Sequence, residues 1–134
     1  WHGRLFMTPR EFLDELRETE GDPSLKGQRR RAHREVAEHG MVMAVRDSSF
    51  VVVNPTHVAV ALRWDEESMD APEVVASGRH ALAQRIIAEA RRAGVPVVHD
   101  PGLASTLADL RPGETIPEEM YEALAAVIRV LGEE

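Results

Sequence analysis

The chain has 134 residues, no cysteine, 43% hydrophobic residues and a formal net charge of −7 at pH 7. This composition is typical of a soluble globular protein and excludes disulfides and thiolate chemistry, and no apolar run approaches the roughly 20 residues that span a bilayer. Residues 1–40 contain equal numbers of acidic and basic side chains, so residues 41–134 carry the whole net charge, which argues against nucleic-acid binding. Because the chain begins with Trp1, we expect it to be part of a longer protein, and a preceding membrane segment is allowed.

Residues 1–40 are predicted to form a largely exposed helical arm. Thr8-Pro9-Arg10-Glu11 is a capping box with proline at the first helical position, and Gly21-Asp22-Pro23 breaks the helix that it begins. A second helix is predicted over Ser24–Glu38, with few apolar positions to bury. A solvated helix face and contact with an anionic membrane surface are the two interpretations of its basic cluster. The cluster consists of Lys26, Arg29, Arg30, Arg31 and Arg34.

Residues 41–134 alternate strand-like and helix-like patterns, which predicts an α/β domain with a small central sheet of about four strands flanked by helices. Strands are predicted at Ser49–Val53, Val58–Trp64, Glu73–Ser77 and Val95–His99. Gly78 is predicted to open a helix that runs to about Ala93, and a short helix is predicted over Leu103–Leu110. Thr115-Ile116-Pro117-Glu118 has the pattern of a second capping box before the last helix.

The most informative residues are Asn54-Pro55-Thr56-His57, which lie between two apolar runs and predict two strands joined by a tight turn. Pro55 has no backbone N–H that could attack the Asn54 side chain, so the usual route of deamidation is closed. The Asn54 side-chain nitrogen can instead attack the carbonyl carbon of Asn54 itself. That reaction forms a succinimide, releases Pro55 as a new N-terminus and needs no cofactor.

Such cleavage requires a fold that holds the Asn54 side chain in a near-attack geometry and strains the peptide. Thr56 is a candidate for fixing the turn by bonding backbone groups. His57 is a candidate for polarising the scissile amide or protonating the departing nitrogen, although a purely structural imidazole also fits. The alternative is an ordinary Asn-Pro turn in a chain that does not cleave itself.

Other candidate sites are weakly supported. His57, His80 and His99 lack close metal-ligand spacing and no cysteine accompanies them, so no metal site is predicted. The chain has no nucleophile-elbow motif and no glycine-rich phosphate loop. We therefore expect no cofactor and no turnover of an external substrate.

Several motifs occur in order over nearly the whole chain, from about residue 7 to residue 131. They are Glu20-Gly21-Asp22-Pro23, Lys26-Gly27, the run Val53–Leu62, Met69-Asp70-Ala71-Pro72, Gly94-Val95-Pro96-Val97-Val98, Asp100-Pro101 with Leu103-Ala104, and Ile116-Pro117-Glu118-Glu119. Together they resemble the FlhB/YscU (SctU) family, the export-switch proteins of flagellar and injectisome type III secretion. The Asn-Pro-Thr-His element between two apolar strands is the most specific of them.

The resemblance implies that residues 41–134 are the cytoplasmic domain of a bacterial inner-membrane protein, and that residues 1–40 link it to membrane helices. It implies a single-turnover self-cleavage between Asn54 and Pro55 and a switch of export from early to late substrates. It also implies contacts with secreted substrates, with a length-controlling ruler protein and with other components of the export gate. The alternative is a non-cleaving protein-interaction domain that docks secretion substrates through its acidic surface.

Overall fold

A computed structural model describes residues 23–132 of the chain. Its helices are α1 (Pro23–Ala44), α2 (Ala81–Ala93), α3 (Pro101–Leu107) and α4 (Tyr121–Gly132), with short 3-10 turns at Val45–Asp47 and Glu118–Met120. Its strands are β1 (Phe50–Asn54), β2 (Val58–Arg63), β3 (Glu73–Arg79) and β4 (Val97–His99). A four-stranded sheet flanked by helices confirms the predicted α/β class. The capping box at Thr8 and the helix predicted after it lie outside the described residues.

The strands form one sheet in the order β3-β2-β1-β4. β1 pairs with β2 in antiparallel register from Phe50↔Leu62 to Asn54↔Val58, as expected of neighbouring strands joined by a tight turn. β4 pairs with β1 in parallel, and the chain reaches it through α2. β1 is therefore an inner strand with hydrogen-bonded neighbours on both sides.

The inner strands are buried on both faces of the sheet. Val51 and Val53 belong to a core cluster that includes α2, whereas Phe50 and Val52 belong to a second cluster that includes α3 and α4. Side chains alternate between the faces of a strand, so a strand covered on both sides reads as an uninterrupted apolar run. This is why the valine-rich segments of the sequence predict strands.

A β-bulge interrupts the pairing of β2 with β3. Ala61 pairs with Ala76 and Leu62 pairs with Val74, which leaves Val75 as the additional residue. As a result Val74 and Ala76 lie in different core clusters, although they are two residues apart in one strand. The bulge therefore allows both side chains to be fully buried, one on each face of the sheet.

The prediction that Gly78 opens a helix is wrong. Gly78 lies inside β3 and is buried, and α2 begins three residues later at Ala81. A Cβ at Gly78 would lie 2.5 Å from Leu82 Cγ, so the glycine is needed for the close packing of α2 on the end of β3. Glycine in a strand can mark such a close approach as well as a helix boundary.

The predicted capping box at Thr115-Ile116-Pro117-Glu118 is also wrong. Thr115 instead forms an antiparallel bridge with Glu73, next to the start of β3. The N-cap of the following 3-10 turn is Pro117, whose side chain accepts no hydrogen bond. The last helix follows that turn and begins at Tyr121.

Contacts divide the chain into two units, Trp1–Ala37 and Glu38–Glu134, with the boundary inside α1. In the described part of the first unit most side chains are exposed, and Val36 is 74% exposed. In the second unit Val42 and Val45 are buried in the cluster that includes α2. This burial explains why α1 continues past the predicted end at Glu38. Among residues 23–132, no helix is both long enough and apolar enough to cross a membrane.

Candidate functional site

Asn54-Pro55-Thr56-His57 forms a four-residue turn between the two inner strands, and we call it the cleavage turn. Asn54 is the last residue of β1, and β2 begins at Val58. The backbone N–H of His57 donates a hydrogen bond to the Asn54 carbonyl oxygen at 2.9 Å, which closes the turn. Asn54 is half-buried, whereas the three residues after it are exposed.

The backbone of the cleavage turn fits its residue types. Among the described non-glycine residues only His80 has a positive φ, so Thr56 lacks the left-handed conformation that a type II turn needs at its third position. A type I turn needs no positive φ and favours asparagine at its first position and proline at its second. Local sequence and local structure agree here.

The peptide on the N-terminal side of the Asn54–Pro55 bond is held by the sheet. The Val53 carbonyl oxygen accepts a hydrogen bond from the Asp100 N–H at 3.1 Å, and Asn54 pairs with Val58 across the ladder. Within residues 23–132 no hydrogen bond engages the Asn54 side-chain amide. The amide nitrogen is therefore not committed to another partner.

The start of α2 holds the C-terminal side of the cleavage turn. Gln84 Nε2 donates a hydrogen bond to the Pro55 carbonyl oxygen at 2.6 Å, and the His80 N–H donates one to the His57 carbonyl oxygen at 3.0 Å. The imidazoles of His57 and His80 meet edge to face, with ring centroids 6.5 Å apart. His80 has φ 54° and ψ −120°, a strained conformation for a residue with a Cβ, at the point where β3 gives way to α2.

The structure keeps the four predicted site residues together but assigns a hydrogen bond to none of their side chains. Within the described residues neither the Thr56 hydroxyl nor the His57 imidazole has a hydrogen-bond partner, and the turn is closed by backbone groups alone. The roles proposed for Thr56 and His57 stay predictions. His80 and Gln84 are absent from the sequence-based site. Gln84 is 29 residues from Pro55 in sequence, and no local pattern connects them.

Three histidines lie at the same end of the sheet. His57 belongs to the cleavage turn, His80 lies beside it, and His99 on β4 pairs in register with Val53. Over residues 23–132 no group of three or more His, Cys, Asp or Glu side chains has the spacing of a metal site. The Asp100 carboxylate caps α3, where it accepts a hydrogen bond from the Leu103 N–H at 3.1 Å.

Two carboxyl groups with lowered pKa values stabilise the fold away from the cleavage turn. Hydrogen bonds from Arg92 and then from Arg46 lower the pKa of Glu89 to about 2. Hydrogen bonds from the Ser68 hydroxyl and then from the Glu67 N–H lower the pKa of Asp65, which lies in the acidic loop after β2.

Apolar grooves flank α4. One groove of about 350 Å³ lies between α4 and the edge strand β4, and it is lined by Val98, Asp100, Ala123, Ala126, Val127, Val130 and Leu131. Another of about 150 Å³ lies on the other side of α4 and is lined by Trp64, Asp70, Pro72, Tyr121, Leu124, Ala125 and Ile128. Val130 is 58% exposed and Tyr121 is 42% exposed, so both grooves are open at the surface.

A family model described as the FlhB HrpN YscU SpaS family matches residues 1–131 of the chain. The chain belongs to this family. The flagellar biosynthetic protein FlhB of Salmonella typhimurium is 39% identical to this family member over 126 residues, which are 93% of the chain and 33% of FlhB. The hypersensitivity response secretion protein HrcU of Ralstonia nicotianae is 36% identical over 128 residues, which are 95% of the chain and 36% of HrcU. The chain therefore spans about a third of the length of these curated relatives.

The fold of this FlhB/YscU family member also matches a solved relative. The crystal structure of the cytoplasmic domain of FlhB from Shewanella putrefaciens has a TM-score of 0.65 and 31% sequence identity, and the match covers 69% of this chain and 71% of that chain. The likeness confirms the predicted family fold. Relatives named for flagellar biosynthesis and for hypersensitivity response secretion confirm the predicted link of the family to type III secretion.

Proposed function

We propose that the domain cleaves its own backbone between Asn54 and Pro55, and that the cleaved form switches substrate specificity in a type III secretion export apparatus. The observation that carries the proposal is the position of the Asn-Pro bond. It lies in an exposed turn, next to an uncommitted asparagine amide, between two strands that stay paired by their own ladder. Breaking this bond frees a loop and leaves both core clusters in place.

The reaction is an intramolecular acyl transfer. Asn54 Nδ2 forms a bond to the Asn54 backbone carbonyl carbon, and the bond from that carbon to the Pro55 nitrogen breaks. One proton leaves Nδ2 and the Pro55 nitrogen gains one, so the products are a C-terminal succinimide and a free secondary amine. A primary amide is a weak nucleophile, so the rate depends on the near-attack geometry that the turn imposes. Thr56 would shape the turn, and His57 would protonate or polarise the scissile amide.

The setting of the reaction is the cytoplasmic face of the bacterial inner membrane. In this proposal residues 1–40 link the domain to membrane helices, and residues 41–134 form the autocleavage domain. The five basic residues of α1 from Lys26 to Arg34 are exposed and suit contact with anionic lipid headgroups. The partners are secreted substrates, a length-controlling ruler protein and other export-gate components, which meet a different surface once the turn is cut.

A second candidate function is a docking domain that does not cleave itself. The grooves beside α4 favour it, because exposed apolar surface rimmed by polar residues is typical of protein-binding sites. In this alternative the acidic surface and the grooves bind secreted proteins, and the cleavage turn is only a loop. The state of the Asn54–Pro55 bond distinguishes the two functions.

The test is the denatured mass of the chain purified at neutral pH, with an Asn54→Ala variant beside it. We expect two pieces, residues 1–54 and 55–134, with Pro55 at the new N-terminus, and one intact chain in the variant. Asn54 is the only asparagine in the chain, so no other asparagine can give the product. An intact wild-type chain after days at 37 °C would exclude self-cleavage and leave the docking function. Acid hydrolysis at Asp100–Pro101 would give residues 1–100 and 101–134, which differ in mass from the expected pieces.

A further inference from the structure

We propose that Gln84 is a positioning residue for the cleavage of the Asn54–Pro55 bond. This inference rests on the proposed self-cleavage and adds a residue on another element to it. Gln84 lies in the first turns of α2, and its side-chain amide reaches the Pro55 carbonyl oxygen at 2.6 Å. A carbonyl oxygen can only accept, so the glutamine presents its NH₂ group to it.

The contact matters because the residue that it holds is a proline. The pyrrolidine ring fixes φ near −65°, so ψ is the one backbone rotation left between the Pro55 nitrogen and its carbonyl oxygen, and the closed turn restricts it. A hydrogen bond to the Pro55 carbonyl oxygen therefore orients the leaving nitrogen as well. In any other residue, rotation about φ would add a second degree of freedom, and the contact would control the scissile bond less well.

The N-terminal side of the Asn54–Pro55 bond is held by other contacts, which do not involve Gln84. Val53 pairs with β4 and accepts a hydrogen bond at 3.1 Å from the N–H of Asp100, the residue after β4, and Asn54 is fixed to Val58 by the ladder. Gln84 is the side chain that holds the C-terminal side, and the His80 N–H holds the end of the turn at His57. The scissile peptide is thus clamped from β4 on one side and from α2 on the other. Clamping at both ends restricts the peptide to fewer conformations, which favours attack by the Asn54 amide.

Gln84 is exposed, so its replacement is compatible with folding. The experiment compares cleavage rates of newly synthesised full chains, labelled in a short pulse during cell-free synthesis and followed on denaturing gels. Gln84→Leu removes the donor, and Gln84→Glu keeps the size of the side chain but presents a carboxylate that only accepts. Gln84→Lys restores a donor. Gln28→Leu is the matched control, because Gln28 is the only other glutamine and is exposed on α1.

We expect Gln84→Leu and Gln84→Glu to cleave about tenfold more slowly than wild type, because one hydrogen bond that orients the leaving group is lost. Gln84→Lys should cleave within about threefold of wild type, and in an Asn54→Ala background, in which every chain stays intact, all variants should share one thermal midpoint. Equal rates for wild type and Gln84→Leu would overturn the inference while self-cleavage stands. Equal slowing in Gln84→Leu and Gln84→Lys would also overturn it, since the donor would then be irrelevant. A wild-type chain that stays intact would instead overturn the proposed function itself.

Discussion

Glu89 on α2 is a nearly buried acid held by two arginines. Its side chain is 8% exposed, and its carboxylate accepts hydrogen bonds from Arg92 in the same helix and from Arg46 in the 3-10 turn after α1. Arg46 is 43 residues away in sequence, so this pair fixes α2 to a distant part of the chain. The carboxylate is the nearly buried member, since the Arg46 and Arg92 side chains are 49% and 62% exposed, so losing both arginines would leave a poorly compensated charge. Because α2 also carries His80 at its N-cap and Gln84, the acid helps to place the residues that grip the cleavage turn.

This pairing predicts a pH dependence of stability. The pKa of Glu89 is about 2 in the folded chain, whereas an unfolded glutamate titrates near about 4.3. The unfolded state therefore binds the proton first, and the contribution of Glu89 is complete above about pH 5 and lost as the pH falls toward 2. We expect wild type to be more stable than Glu89→Gln at pH 6, and the difference to shrink steadily toward pH 2.5. Urea unfolding at several pH values measures this difference in the free energy of unfolding.

The control for this prediction is Glu122→Gln, because Glu122 is an exposed acid on α4. The difference in the free energy of unfolding between Glu122→Gln and wild type should change little over the same pH range. A wild-type advantage over Glu89→Gln that stays constant from pH 6 to pH 2.5 would contradict the assigned ion pairs.

At the scale of elements, the sequence predicts strand boundaries best where an apolar run and a turn motif both indicate the same end. β1 and β2 are predicted to within one residue, because both are apolar runs that stop at an Asn-Pro turn. The bulge at Val75 and the bridge of Thr115 escape prediction because they depend on pairing between distant segments. The candidate site divides in the same way. The cleavage turn is visible in four consecutive letters, whereas Gln84 reaches it only through the packing of α2.

Gly78 is the position where the effect of packing between distant segments on stability is most easily measured. Gly78→Ala would place a Cβ 2.5 Å from Leu82 Cγ, so the Leu82 side chain, α2 or β3 must shift, and we expect a loss of about 1–3 kcal/mol in the free energy of unfolding. Chemical denaturation of the two proteins measures this loss. The double variant Gly78→Ala/Leu82→Ala removes the collision, so its loss should be smaller than the sum of the two single losses.

Gly40→Ala is the matched control for Gly78→Ala. Gly40 lies inside α1, and a Cβ there would meet nothing within 4 Å. Alanine is the better helix former, so this substitution should stabilise the chain by about 0.5–1 kcal/mol. Losses of similar size at both glycines would show that packing against Leu82 is not the reason for Gly78.

At the scale of the whole molecule, the proposed cleavage would divide the chain into two interleaved pieces. Residues 1–54 contain β1, and residues 55–134 contain both of its neighbours in the sheet, β2 and β4. Each core cluster contains residues from both pieces, for example Val51 with Ile86 and Val52 with Leu124. The pieces are therefore joined by two backbone ladders and by apolar contacts on two faces, with or without a covalent link.

We therefore expect the cleaved chain to elute as one species in native gel filtration and to separate into two pieces in urea. Its thermal midpoint should rise with protein concentration, because unfolding of two associated pieces is also a dissociation. The midpoint of the intact Asn54→Ala chain should be independent of concentration. Co-expressed residues 1–54 and 55–134 give the same test without relying on self-cleavage. Val52→Asp in the first piece should weaken the association, since Val52 is fully buried in the sheet. Separate elution of the two wild-type pieces under native conditions would show that the covalent link, and not the interleaved sheet, holds the domain together.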